Sequence, residues 1–143
     1  MPVLSAYLEE SVLLARKTGY TKTLFGRRRH FPGLRSSIPF VKAMAERAAS
    51  NAPIQGTTAD IIKLAMIQVE GEISKRGLSS KVFMVMQIHD ELVFEVSEDV
   101  LDEAKEMIRG AMESVLEKSG VEIANPVPIT VSLASGRNWN EAK

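Results

Sequence analysis

The fold is decided by residues 82–96, which read Val82-Phe-Met-Val-Met-Gln-Ile-His-Asp-Glu-Leu-Val-Phe-Glu-Val96. The first seven residues are almost all apolar, which predicts a β-strand covered on both faces. Residues 92–96 predict a second strand, and only His89, Asp90 and Glu91 lie between the two. So short a connection predicts an antiparallel hairpin with ionisable side chains at its tip.

The tip of this hairpin is chemically unusual, because tight hairpins usually carry Asn-Gly or Asp-Gly. Two buried strands would hold Asp90 rigidly, as a ligand for a hard cation such as Mg²⁺ requires. Taken alone, Asp90 is more simply interpreted as a residue that satisfies the backbone groups of the turn. His89 is either a catalytic or metal-binding group or a hydrogen-bonding residue. His30 is the only other histidine, which excludes a histidine-rich metal site.

Helical and strand patterns also precede the hairpin. A helical spacing of apolar residues predicts a first helix that Gly19 ends, and residues 20–25 predict a short strand leading into a Gly-Arg-Arg-Arg turn. A second helix is expected over residues 39–51, with Pro53 enforcing its end. A third is expected to begin at a capping box, Thr57 with Asp60. Its apolar face is predicted from four residues at helical spacing: Ile61, Ala65, Val69 and Ile73. Gly77 is expected to end this helix.

Beyond the hairpin, residues 99–118 predict a helix, because apolar residues recur on one face and Gly120 follows. That face comprises Val100, Ala104, Ile108, Ala111 and Val115. Alternation over residues 127–133 predicts a half-buried strand. Together these patterns predict one domain over residues 1–143, of α+β class, with antiparallel strands backed by helices and an apolar edge or patch left exposed.

Composition limits the classes of protein. The chain has 143 residues, 45% of them hydrophobic and 25% charged, which suits one soluble domain. There is no cysteine, which excludes disulfides and thiolate metal sites. No apolar run is long enough for a membrane span and the N-terminus lacks a signal-peptide pattern, so no membrane partner and a cytoplasmic location are expected.

The net charge is zero, but the charges are segregated along the chain. Residues 11–45 contain eight basic residues and no acidic one, whereas residues 90–106 contain eight acidic residues and only one basic. A basic segment of this kind can neutralise phosphates, although a solvated cationic loop is an equally good interpretation of the charge alone.

Four segments of the chain resemble segments of a known family. Gln87-Ile-His-Asp-Glu-Leu-Val-Phe-Glu-Val96 resembles the motif C hairpin of family A DNA polymerases. Residues 23–30 resemble that family's basic turn, residues 45–63 resemble the helix pair that precedes motif C, and residues 138–143 resemble its C-terminus. The segments occur in the family's order across nearly the whole chain, which makes the resemblance specific. The chain is therefore expected to be the C-terminal part of a polymerase palm.

The resemblance implies roles for the hairpin tip. Asp90 corresponds to the aspartate that binds the catalytic Mg²⁺ ions, Glu91 to an acidic neighbour of secondary importance, and His89 to a residue near the primer end. The implied reaction adds deoxynucleotides to a primer 3′ end by two-metal phosphoryl transfer, in DNA replication and repair. Its partners would be primer–template DNA and deoxynucleoside triphosphates.

The resemblance also implies a DNA-binding surface. Arg47, Asn51 and Gln55 correspond to positions that contact the primer–template. All three side chains donate hydrogen bonds, and the minor groove presents acceptors at every correct pair, so donors there test pairing without selecting a sequence. A consecutive basic set is expected to bind phosphates: Arg27, Arg28 and Arg29.

The chain also departs from the family. Motif A, with the other essential aspartate, and motif B, the nucleotide-gripping helix, lie upstream of what this sequence contains. The chain is therefore expected to be incomplete and inactive alone, and to need the upstream polymerase fragment as a partner. Two alternatives stay open: a non-catalytic DNA-binding module derived from the palm, and a metal-dependent phosphohydrolase using His89 and Asp90.

Overall fold

The computed structural model describes residues 2–123 and 127–142 and divides into two compact units, residues 1–60 and 61–143. The fold is α+β, as predicted, with small antiparallel hairpins and helices. The assignment of residues 1–143 to a single domain stays a prediction. No described helix is both long and apolar enough to cross a membrane.

The first unit begins with helix α1, Pro2–Thr18, which ends at Gly19 as predicted. Gly19 has a φ of +85°, which favours glycine, and its N–H donates to the Ala15 carbonyl at 2.7 Å. Strands β1, Tyr20–Lys22, and β2, Arg28–His30, then pair antiparallel, with Thr21 opposite Arg29.

The expected turn of three arginines was therefore wrong: Arg28 and Arg29 lie in β2, and the connecting loop is residues 23–27. A 3₁₀ turn, Pro32–Arg35, leads on to helix α2. A small core holds this unit together, formed by Ala15, Phe31, Leu34, Ala49 and Ala52.

Helix α2 corrects two predictions at once. It runs without interruption over Pro39–Lys75, 37 residues, with Pro53 inside it. An interior proline costs about 3 kcal/mol because it lacks the N–H donor and crowds the preceding turn. Packing on both sides of Pro53 offsets that cost, because Ala49 and Ala52 before it belong to the core of the first unit and Asp60 after it is buried. Thr57 and Asp60 lie in its interior rather than in a capping box, and Asp60 pairs with Arg27.

The second unit contains the C-terminal part of α2, strands β3, Val82–Ile88, and β4, Glu91–Val96, and a 3₁₀ turn, Glu98–Val100. Helices α3, Leu101–Glu113, and α4, Val115–Lys118, follow. The single helix predicted over residues 99–118 is thus divided. Its predicted apolar face is nevertheless largely correct, since most of its members are buried: Ala104, Ile108, Ala111 and Val115.

The core of this unit lies between α2, the hairpin and α3. It comprises Val69, Ile73, Leu78, Val82, Ala104, Met107, Ile108 and Ala111, with Met84, Phe94 and Val96 packed against it. On α2, Ala65, Val69 and Ile73 are buried as predicted, but Ile62 is buried more deeply than the predicted Ile61. Gly77, with a φ of +71°, follows the helix.

Strand β3 is not buried on both faces, and that prediction was wrong. Val82 is 2% exposed, whereas Phe83 and Met86 are about half exposed. A β-bulge at Val85 shifts the register, because Met84 pairs with Phe94 while Met86 pairs with Val93. One face therefore meets the core and the other leaves an exposed apolar patch, as expected from the sequence.

The strand predicted over residues 127–133 is absent from the described structure. Ile129, Val131 and Leu133 are half-buried between exposed neighbours, so the alternation is present without strand pairing. The Val131 N–H instead donates to the Glu113 carboxylate at 2.9 Å. A side-chain acceptor thus takes the place of a neighbouring strand.

Candidate functional site

The tip of the β3–β4 hairpin is shorter than predicted. Ile88 pairs with Glu91, so the turn consists of His89 and Asp90 alone, and Glu91 is the first residue of β4. His89 has a φ of +53°, the one positive φ at a non-glycine residue among those described. That conformation costs about 1–2 kcal/mol for an L-residue. The Gln87 side chain donates a hydrogen bond to the His89 carbonyl at 3.0 Å, which holds the strained residue from one side.

The three ionisable side chains at this tip all face solvent. His89, Asp90 and Glu91 are exposed, and none of their side-chain atoms forms a hydrogen bond or ion pair with another described residue. Asp90 therefore does not satisfy the backbone of its own turn, which was the simpler interpretation of the sequence. Its carboxylate is left accessible to a ligand from outside the unit.

A metal ion would meet suitable but insufficient ligands here. Carboxylate oxygens are the ligands that Mg²⁺ prefers, and a typical Mg²⁺ site uses one or two of them together with substrate phosphates. Asp90 and Glu91 fit such a contribution. Among residues 2–123 and 127–142, however, no three His, Asp or Glu side chains are placed to hold a metal ion.

An ion pair lies at the base of the hairpin. Lys81, just before β3, hydrogen-bonds the Asp99 carboxylate, and the Ser97 N–H donates to the Lys81 carbonyl at 2.8 Å. The Lys81 ammonium holds the pKa of Asp99 below its usual value of 3.8. The ion pair therefore stabilises the fold above that value, and its contribution is lost as the pH falls through the lowered pKa of the folded state.

A second candidate surface lies on helix α2 in the first unit. Arg47, Asn51 and Gln55 are each four residues apart on one uninterrupted helix, so each lies only about 40° around the axis from the last. All three are exposed, and their side chains donate no hydrogen bond to the described residues. The sequence placed Gln55 beyond the end of a helix, whereas the structure places it on the same face as Arg47 and Asn51.

The two arginines of β2 lie on opposite faces of the β1–β2 hairpin. The Arg28 guanidinium lies 4.7 Å from the centre of the Tyr20 ring, and the Lys22 ammonium lies 5.9 Å from it. His30 contacts the same ring, with 5.5 Å between ring centres. This face, formed by Tyr20, Lys22, Arg28 and His30, combines cations with an aromatic ring, which is a combination used to bind nucleic-acid strands.

Arg29 faces the other way, towards α2. It lines an open cleft of about 210 Å³ together with Gln55 and the hydroxyl-bearing Thr21 and Thr23. Arg27 also lines the cleft, but its Nε donates to the Asp60 carboxylate at 2.7 Å. The consecutive arginines that the sequence presented as one set thus have three different environments.

Sequence reasoning missed two residues at these surfaces. Lys22 shares a face with Tyr20, two residues away on β1, and lies opposite Arg28 on β2. The spacing of Tyr20 and Lys22 was present in the short strand predicted over residues 20–25. Asp60 was assigned to a helix cap, and only its partner Arg27, 33 residues away, reveals its role. The structure places the candidate residues in two groups: the hairpin tip in the second unit and the residues predicted to bind DNA in the first.

Comparison with known proteins identifies the family. Residues 1–141 match the model of DNA polymerase family A. DNA polymerase I of Rhizobium leguminosarum is 42% identical over 141 residues, covering 99% of this chain and 14% of that protein. The thermostable DNA polymerase I of Thermus filiformis is 39% identical over 142 residues, covering 99% and 16%.

A solved structure gives the same answer. The POL domain of Pol1 from M. smegmatis, in complex with DNA primer-template and dNTP, superposes with a TM-score of 0.85 at 46% identity. The match covers 96% of this chain and 23% of that chain. The chain belongs to DNA polymerase family A. It spans 14% to 16% of the curated relatives named above, so its fold is one part of a polymerase domain.

Proposed function

We propose that this chain supplies the motif C hairpin and part of the primer–template surface of a DNA-directed DNA polymerase. The observation that carries the proposal is the exposed carboxylate of Asp90 at the tip of a hairpin, which has no partner among the described residues, in a chain matched to the family over residues 1–141. Such a carboxylate is available to a metal ion, and the family match favours a catalytic role over a turn that has only a structural role.

The proposed reaction is nucleotidyl transfer. The primer 3′-hydroxyl gives up its proton to solvent and its oxygen forms a bond to the α-phosphorus of a deoxynucleoside triphosphate. The bond from that phosphorus to the bridging oxygen breaks, and pyrophosphate leaves with the electron pair. Bound Mg²⁺ ions would stabilise the attacking and leaving oxygens. Asp90 is proposed as the metal ligand, Glu91 as a weaker contributor, and His89 as a neighbour of the primer end.

The DNA surface is proposed from the exposed donors of α2. Arg47, Asn51 and Gln55 present hydrogen-bond donors along one helix face, as testing of minor-groove acceptors requires. Phosphates would be neutralised by the basic β1–β2 hairpin. The M. smegmatis relative was solved with DNA primer-template and dNTP, which supports the same partners here. Roles in replication and repair, and a cytoplasmic location, are part of this proposal.

The isolated 143-residue chain is expected not to extend a primer. The described residues place no three metal-binding side chains together, so a two-metal site needs ligands from additional polymerase sequence. The measurement is primer extension with Mg²⁺ and all four deoxynucleoside triphosphates, with the M. smegmatis POL domain as positive control. Metal-dependent incorporation by the purified chain, unchanged after removal of trace host polymerase, would contradict this expectation.

Groove and phosphate contacts are expected to respond differently to mutation. Arg47→Ala should weaken binding to paired primer–template by about 10-fold and change single-strand binding little, because a groove contact is worth about 1–3 kcal/mol. Arg28→Ala should weaken both, and the slope of log affinity against log salt should fall by about 0.9. Fluorescence anisotropy across a salt series measures these quantities.

The control for this pair is Arg109→Ala, which removes an exposed arginine of α3 outside either surface. Identical profiles for the Arg47 and Arg28 variants would show that the division into groove and phosphate contacts is wrong.

A DNA-binding module without catalysis is the second candidate, favoured by the exposed donor face of α2. It predicts primer–template binding that is indifferent to Mg²⁺ and to Asp90→Ala, even when the rest of a polymerase domain is present. A phosphohydrolase is disfavoured, because among the described residues no three His, Asp or Glu side chains are placed to hold a metal ion together.

A further inference from the structure

The loop between β1 and β2 is held against helix α2 by a set of directional contacts within the first unit. The Arg27 Nε donates to the Asp60 carboxylate at 2.7 Å, and a terminal guanidinium nitrogen of Arg27 donates to the Gly56 carbonyl at 3.0 Å. The Leu24 N–H donates to the Thr57 hydroxyl at 3.0 Å, and that hydroxyl donates to the Pro53 carbonyl. Three helix residues, Gly56, Thr57 and Asp60, thus bond to one five-residue loop.

The packing is as close as the hydrogen bonds suggest. A Cβ atom placed on Gly56 would lie 2.7 Å from a methyl carbon of Thr23, a distance that forces the loop away. The loop has its own internal bonds, since the Thr23 hydroxyl accepts from the Arg27 N–H at 3.2 Å and Gly26 has a φ of +83°. Loop and helix are therefore shaped to fit each other.

Asp60 is largely buried, with 11% of its side chain exposed. One of its carboxylate oxygens is buried and has no hydrogen-bond partner in the part of the chain that the structure describes. A buried carboxylate is tolerated only when it is paired, and within the described residues Arg27 provides that pairing. The charge of Arg27 is accordingly neutralised inside the protein, although 49% of its side chain remains exposed.

We propose that Asp60 is a positioning residue that fixes Arg27 as a structural lock between the loop and α2, and that Arg27 is not a phosphate ligand. The lock sets where Arg29 and Gln55 lie, because both line the cleft that Arg27 borders. Phosphate binding is left to Arg28, Arg29 and Lys22. This inference rests on the proposed DNA-binding function for its consequence, but not for the lock itself.

Removal of Asp60 is expected to change DNA binding in the direction opposite to the one that charge alone would give. Removing an acidic residue from a DNA-binding protein raises its positive charge and, through simple charge effects, strengthens binding to phosphates. The lock predicts the opposite for Asp60→Ala, because the released loop misplaces Arg29. We expect primer–template binding by the 143-residue chain to weaken by about 10-fold, the scale of a lost charged hydrogen bond. Glu10→Ala, which removes an exposed charge from α1, is the matched control and should not weaken binding.

A conservative substitution separates charge from geometry. Arg27→Lys keeps the positive charge but lacks the guanidinium that bonds Asp60 and Gly56 together. It should weaken binding as Asp60→Ala does, whereas Arg28→Lys should retain most of the affinity. Gly56→Ala, which inserts a methyl group between helix and loop, should reproduce the effect without removing any charge. Far-ultraviolet circular dichroism of each variant shows whether α1 and α2 remain folded.

Hydrogen exchange of the free protein tests the lock without DNA. The Leu24 amide, bonded to Thr57, should exchange about 10-fold faster in Asp60→Ala than in the unsubstituted chain. Unchanged exchange would overturn the lock whatever the DNA result. Tighter DNA binding by Asp60→Ala, with a steeper salt slope, would overturn the proposal. It would show that Arg27 binds phosphate and that the ion pair with Asp60 weakens this binding in the unsubstituted chain. Failure of the unsubstituted chain to bind DNA would contradict the proposed function, and the exchange experiment would still decide the lock.

Discussion

Replacing Asp90 by alanine is expected to reduce nucleotide incorporation by about 10²–10³-fold, because one group that stabilises a transition state is worth about that much. The test protein is a chimaera in which this chain replaces the matched part of the M. smegmatis POL domain, 23% of that chain at 46% identity. Single-nucleotide incorporation under pre-steady-state conditions measures the effect. The exposed position of Asp90 at a two-residue turn makes the substitution harmless to packing.

Two further substitutions bracket this result. Glu91→Ala should cost less, about 10-fold, because Glu91 begins β4 while Asp90 lies in the turn before it, so the two carboxylates do not face one ion equally. Asp102→Ala removes an exposed carboxylate of α3 and should leave incorporation unchanged.

Binding must be measured alongside chemistry. If Asp90 acts through metal ions, the variant chimaera should still bind primer–template with nearly normal affinity. Normal turnover by Asp90→Ala would remove the metal-ligand assignment altogether. Loss of turnover and of DNA binding in parallel would instead indicate a role in DNA placement.

The hairpin and the helix that follows it were predictable from the sequence because their signals are local. An apolar run, a short polar connection and a second apolar run define β3 and β4 without reference to distant residues. The buried face of α3 follows from a spacing of three and four residues. Asp90 was found in the same way, as an ionisable residue where a turn usually needs only a small polar one.

Other features depended on contacts that no local pattern contains. The break expected at Pro53 applies to an isolated helix. In this chain, hydrogen bonds of Arg27 and Thr57 join the β1–β2 loop to the part of α2 that follows the proline, and the helix continues there. Strand β3 was expected to be buried on both faces because its residues are apolar. Apolar side chains show that a strand can be buried. They do not show whether the residues that would bury it belong to these 143 residues.

The strand expected over residues 127–133 fails for a related reason. Alternation favours extended backbone, yet a strand also needs a neighbour with free backbone groups. The described structure offers Val131 a carboxylate from Glu113 instead. The roles of His89, Asp90 and Glu91 in catalysis stay predictions.

The largest effect on stability is expected for Ile73→Ala. Ile73 is 1% exposed at the centre of the core that joins α2 to α3 and to the base of the hairpin. Truncating a fully buried isoleucine costs about 2–5 kcal/mol, the lost burial plus the cavity that remains. The measurement is the midpoint and slope of urea unfolding for the 143-residue chain, followed by circular dichroism and by Trp139 fluorescence.

The same helix provides the control for that substitution. Ile67 is 68% exposed on α2, so Ile67→Ala changes the same side chain in the same helix and should alter stability by no more than about 0.5 kcal/mol. Alanine has the higher helix propensity at both positions, so equal destabilisation by both would show that burial in the core does not set the cost. Because Val82 and Phe94 pack against the same cluster, Ile73→Ala should also speed amide exchange along β3 and β4. The rigidity that a metal-binding carboxylate at Asp90 requires would then originate in a residue that never meets the substrate.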